Sequence, residues 1–236
     1  MNRSVWDDDK CHKVWEHLVT NLPYAWPWKR NTESKFLEIT DCSIDVMIHC
    51  SGSDITSARK LREIVREILL FGDEQKGNEL ALWIVAFWGG IGAGKDTIPI
   101  WMSELRPFDG FSVTSFIRKR QTERISSWSK ILSFFDCERH AVYDSRTAVA
   151  LNAALVRSEM RPRFHMPPSR IDIRKEWAGV IKSRSDNLTS GYYEYIYVLE
   201  RFVELGLVES VLDAERRIFA GSNQTAEKMM EELDVR

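Results

Sequence analysis

ERISSWSKILSFFDCERHAVYDSRTAVALN, residues 123–152, is the stretch on which the reading of the fold turns. A short turn at Ser126-Ser127 precedes an amphipathic helix, WSKILSFF, in which Lys130 lies one turn in. The polar connection DCERH follows, then Ala141-Val142-Tyr143 and an aspartate that opens a second helix. Asp144 is placed to cap that helix, accepting backbone N–H bonds from residues two or three positions on. A lysine on one helix and an aspartate at the mouth of the next can meet across one cleft.

Outward from this segment the pattern stays helical. SARKLREIVREILLF (57–71) places Leu61, Ile64, Val65, Ile68 and Leu69 on one stripe with Arg and Glu opposite. TAVALNAALV (147–156) holds good helix formers, and PSRIDIRKEWAGVIKSR (168–184) carries Ile171, Ile173, Trp177, Val180 and Ile181 at helical spacing with a proline just inside its start. YYEYIYVLERFVELG (192–206) and SNQTAEKMMEEL (222–233) add two more helices, the second opening after Gly221. NELALWIVAFW (78–88) is apolar all round, a buried helix or a buried strand. Only KFLEITDCSIDVMIHC (35–50) suggests extended chain. There is no internal repeat, and a mainly α fold is expected.

FWGGIGAGKDT (87–97) has the glycines and lysine of a phosphate-cradling loop, Gly89 and Gly94-Lys95 satisfying GxxxxGK. Asp96 stands where a Ser or Thr would bind magnesium, and the parallel strands such a loop needs are missing from the pattern. A helix–helix turn, with Gly94 as a terminator, is the simpler reading.

The formal net charge of −2 hides a pattern. Residues 113–184 hold 15 Lys+Arg against 7 Asp+Glu, while both flanks are acidic, so the middle third is where a nucleic-acid face would lie. No apolar run is long enough to span a bilayer, and three aspartates among residues 1–20 do not fit a signal peptide. Cys11, Cys42, Cys50 and Cys137 are scattered without a CxxC pair, as expected of reduced thiols in a cytoplasmic protein with no zinc site. His140 and His165 are lone histidines, and PRFHMPPSR (162–170) is either a loop near DNA or a linker.

The order of basic run, hairpin, lysine and helix-capping aspartate resembles the helix-hairpin-helix DNA glycosylases, the superfamily of endonuclease III and the 8-oxoguanine glycosylases. Ile125-Ser126-Ser127-Trp128-Ser129-Lys130 falls on that family's LPGVGxK hairpin, and Ala141-Val142-Tyr143-Asp144-Ser145-Arg146 on its AVDTHVxR segment. The likeness covers about residues 112–156 and is nearest the outlying bacterial 8-oxoguanine-glycosylase-like branch, which includes anti-phage members. Ser126 and Trp128 replace the hairpin glycines, and the spacing from Lys130 to Asp144 is 14 positions, shorter than is usual there.

The resemblance implies a single glycosylase-like unit over 1–236, with an N-terminal segment 1–55, the hairpin and catalytic region 112–156, and C-terminal helices 157–236, folded as two helical lobes around a DNA cleft. It implies a target nucleotide flipped into a pocket, with Asp144 stabilising the sugar cation and Lys130 as a possible Schiff-base nucleophile. Arg118, Lys119, Arg120, Arg124, Ser126, Ser127, Ser129 and Arg146 would contact DNA, and Trp88, Trp101 and Trp128 would stack on the base. The partner implied is double-stranded DNA containing a modified base, with no obligate protein partner evident. No cofactor is implied, there being no cysteine cluster for an iron–sulfur centre. The departure from the housekeeping hairpin favours a bulky phage-modified cytosine, such as a glucosylated hydroxymethylcytosine, over 8-oxoguanine. A non-catalytic DNA-binding module of the same fold and a small P-loop kinase are the alternatives.

Overall fold

The structure, a computed structural model, describes residues 6–22, 30–43, 45–46, 54–92, 96–185 and 188–234. Among these the chain is mainly helical, and the one β-type pairing is an isolated parallel bridge between Phe164 and Ser190. Two compact units divide it, one formed by Ala25–Ala141 and the other by Met1–Tyr24 together with Val142–Arg236. The division runs through the segment 112–156, so Lys130 belongs to one unit and Asp144 to the other. No described helix is long and apolar enough to cross a membrane.

The helices of the discontinuous unit are α1 (Asp8–His17), α8 (Ser145–Arg157), α9 (Asp172–Ser183), α10 (Tyr192–Glu204), α11 (Val211–Ala220) and α12 (Ser222–Asp234). Helix α8 is its axis: Thr147 through Leu155 are all buried, and α1, α9, α11 and α12 pack around it. A helix buried on every side needs small apolar residues where its neighbours cross, and Ala148, Ala150, Ala153 and Ala154 supply them. Its buried amide side chain, Asn152, is fully used. Asn152 Oδ1 accepts from the amides of Arg163 and Phe164, and its Nδ2 donates to Phe164 O. The amide thus fastens the 161–166 loop to the helix. The chain after α1 is fixed just as tightly. Val19 N donates to Thr225 Oγ1, and a Cβ on Gly221 would lie 1.6 Å from Val19 O, so only glycine admits that backbone approach.

The continuous unit contains α2 (Arg30–Thr40), α3 (Ile55–Phe71), α4 (Glu74–Leu82), a π-helical turn (Trp83–Trp88), α5 (Thr97–Leu105), α6 (Gly110–Arg120) and α7 (Ile125–Phe135). Aspartates open several of these helices: Asp54 accepts from Ser57 N, Asp73 from Lys76 N, and Asp109 forms a capping box with Ser112. Rings dominate the core. Phe36 meets Trp83 at 4.9 Å, Trp88 meets Phe134 edge-on at 5.0 Å, and Phe116 lies between Trp101 and Trp128.

Three expectations are corrected, and the alternative left open for NELALWIVAFW is decided. KFLEIT, expected to be extended, is the last part of α2. The segment NELALWIVAFW is helical, α4 running into the π-turn, so the glycine run at 89 follows a helix and not a strand; Gly94, Lys95 and Cys50 lie outside the described residues. The turn expected at Ser126-Ser127 lies at 121–124, where Gln121 and Arg124 have φ of 49° and 50°. Helical bonding has already begun at Ser127, whose amide donates to Arg124 O. Pro168 precedes α9 and is not inside it, and of the expected apolar stripe Trp177 and Ile181 are buried while Ile171 and Ile173 are exposed.

Candidate functional site

Asp144 occupies the N-cap of α8 in extended backbone conformation, as its position before a run of helix formers predicts. Its Oδ1 accepts from Arg146 N at 2.8 Å and Thr147 N at 3.4 Å, and its own amide donates to Thr147 Oγ1 at 3.0 Å. The residue is half-buried. The chain leading into it is locked from both sides. Val142 N donates to Glu215 Oε2 at 2.7 Å, and Val142 O accepts from Tyr195 Oη at 2.9 Å. Tyr143 Oη donates to His165 O, and its ring meets Tyr195 edge-on at 5.0 Å. Burial pushes both phenols well above the ordinary tyrosine range, so they act as neutral donors. The frame holds one carboxylate in one place, which suits it to stabilise a developing cation or to orient a water.

Lys130 is 1 % exposed, buried in the middle of α7. Its Nζ donates to Ser126 O at 2.7 Å, one turn back in the same helix. Its stem lies against the end of the π-turn: a Cβ on Gly89 would come within 2.6 Å of Lys130 Cδ and within 2.7 Å of Val85 O. Gly89 is therefore explained by packing against a lysine and by the π-turn bond from its amide to Ile84 O. The residue set aside as part of a nucleotide loop and the residue proposed as a nucleophile touch each other.

The remaining expected contacts separate by exposure. Arg118, Lys119 and Arg124 are exposed on the continuous unit; Arg124 Nη1 donates to Thr97 Oγ1 at 3.0 Å. Arg120 is held at home, paired with Glu104 at 2.7 Å and with its guanidinium 3.9 Å from the Phe116 ring. Lys119 also reaches Glu104, at 3.0 Å. The hydrogen bond from Arg120 and the nearby Lys119 hold the Glu104 carboxyl down at about 2. One glutamate thus offsets part of the charge counted in the basic run. Ser126 is half-buried, Ser127 is buried and Ser129 is fully buried, so the Ser129 hydroxyl faces the core and leaves the set of surface contacts. Trp88, Trp101 and Trp128 are likewise core residues, Trp128 donating its Nε1 to Glu123 O; none offers an open face for a base. Arg146, at the start of α8, lays its guanidinium over Phe219 at 4.2 Å.

Sequence reading missed Tyr195 and Glu215, which position the chain before Asp144, and Arg174, whose charge acts on the same region. The partners of Val142 lie 53 and 73 residues away, and no local spacing announces them. The chain matches no known family model, no curated protein and no solved structure.

Proposed function

We propose that the protein is a helix-hairpin-helix DNA glycosylase that excises a modified base from double-stranded DNA. The observation that carries this reading is the setting of Asp144, a half-buried carboxylate at a helix mouth, fixed by a buried frame of Tyr195, Glu215 and Thr147. The turn–helix pair α6–α7 ahead of it, in the order the resemblance requires, supports it further. In the proposed reaction the flipped nucleotide loses its base with the electrons of the C1′–N bond. Asp144 stabilises the sugar cation, and a water adds to C1′, its proton passing to the departed base, which took the bond electrons. The burial of Lys130 and its bond to Ser126 O favour water over the lysine as the nucleophile, with Lys130 serving to pack α7 against the π-turn. Arg118, Lys119 and Arg124 are the proposed phosphate contacts of the continuous unit. The replaced hairpin glycines favour a bulky modified cytosine of phage DNA as the target, with 8-oxoguanine as the second choice.

A non-catalytic DNA-binding module is the competing reading, and one observation favours it: the Asp144 carboxylate already serves as an N-cap. Incubation with unmodified, 8-oxoguanine and glucosylated hydroxymethylcytosine duplexes, with mass spectrometry of the released base, separates the two. Release from the glucosylated duplex, without borohydride trapping of protein on DNA, is expected. DNA binding with no base released from any duplex would favour the module.

A further inference from the structure

The loop 161–170 and helices α8 and α9 enclose a pocket of about 300 Å³ within the discontinuous unit. That is the lower end of the range of about 300–1,000 Å³ for small-ligand sites. Among the described residues its lining has three cations, Arg174, Lys175 and Lys182, two hydroxyls, Ser145 and Ser169, and no carboxylate. Arg174 is the unusual member. Only 8 % of it is exposed, and its Nε is buried with no hydrogen-bond acceptor among the described residues. One terminal nitrogen makes a long contact, 3.5 Å, to Asn223 Oδ1. Burial lowers its affinity for the proton first, and the charge of Arg146 adds to this, with Asp144 compensating in part. A buried guanidinium with an unused donor is costly to keep unless something binds it.

We propose that this pocket binds a phosphate group, with Arg174 as the buried anchor and Lys182 and Lys175 as the outer charges. The fork of guanidinium donors suits a tetrahedral oxyanion, which the lysines meet as point charges. Ser169 Oγ accepts from Ile171 N at 3.2 Å, a bond that uses an oxygen lone pair and not the hydroxyl proton, which a phosphate oxygen can accept. Lys175 is shared with Asp172 at 2.7 Å, so Lys182, exposed at the rim, is the principal outer charge. The phosphate is either a backbone phosphate of nucleic acid or a free phosphate or phosphorylated small molecule. Only the first source rests on the proposed excision of DNA bases.

The test uses the full chain, titrated with inorganic phosphate against chloride at constant ionic strength, with heat of binding and melting temperature as readouts. Phosphate is expected to bind and to raise the melting temperature, and Arg174→Gln to weaken that binding about tenfold or more. Lys182→Gln, at an exposed position, gives a second variant that spares the core and is expected to weaken binding in the same direction. Salt-dependent DNA binding of both variants then identifies the source. A fall in DNA affinity, with the salt slope smaller by about one, assigns a backbone phosphate; unchanged DNA affinity assigns the free or small-molecule source. Phosphate binding no stronger than chloride, or undiminished in both variants, overturns the proposal and leaves the excision reading untouched.

Discussion

Gly89 shows how one residue answers to several neighbours. A methyl group there would collide with Val85 O, Ile84 O and the Lys130 stem, and two of those three are backbone that cannot move aside. Gly89→Ala is therefore expected to destabilise the fold by about 3 kcal/mol, measured as a shift in the urea midpoint at unchanged slope. Asp144 permits a sharper division, between structure and chemistry. Asparagine is as good an N-cap as aspartate, whereas alanine loses the bonds to Arg146 N and Thr147 N. Asp144→Ala is expected to cost about 1 kcal/mol of stability and Asp144→Asn to leave it unchanged, read by thermal melting of the two variants side by side. The capping role was legible in the sequence, because a cap depends on residues two and three positions away. The burial of Trp88, Trp101, Trp128 and Ser129 was not, since a side chain's exposure depends on helices distant in the chain.

At the scale of elements, the long helices were legible and their junctions were not. The stripe in 57–71 and the small-residue run in 147–156 both became helices, as α3 and α8. The turn between α6 and α7 was displaced toward the serines because its left-handed residues are Gln121 and Arg124, neither a glycine, so the usual signal is absent. KFLEIT was mistaken for extended chain because it was read together with the β-branched and apolar residues of 41–50 that follow it, whereas it continues the helix that begins at Arg30. The connection after α7 has a chemical consequence of its own. His140 is half-buried with its Nδ1 fully buried, beside the Phe108 ring, and burial pushes its pKa down to about 4, Asp136 acting weakly in the opposite direction. The unfolded chain binds that proton near pH 6.5 and the folded chain does not, so stability falls as pH drops from about 6.5 toward 4. A loss of about 2 kcal/mol over that window is expected. His140→Leu should remove most of this slope; an unchanged slope would place the proton uptake on the likewise depressed His17 and His165.

For the whole molecule, the discontinuous unit is the feature furthest from sequence reading. Its N-terminal strip belongs with residues 142 onward, and nothing periodic links Val19 to Gly221 and Thr225 across 200 residues. Gly221→Ala would drive a methyl into Val19 O and is expected to unfold that unit first, seen as loss of hydrogen-exchange protection in α1 and α12 ahead of α3 and α7. The mainly α fold was legible because helical periodicity is local. The frame of Asp144 was not, because Tyr195 and Glu215 reach it from separate helices. The proposed excision rests on that frame, and the most direct measurement is a single-turnover comparison of wild type and Asp144→Asn on the duplex from which base is released, with DNA affinity measured in parallel. A drop in excision rate of about 10²–10³-fold or more at unchanged affinity and melting temperature is the predicted result. Equal rates in the two proteins would contradict Asp144 as the catalytic carboxylate.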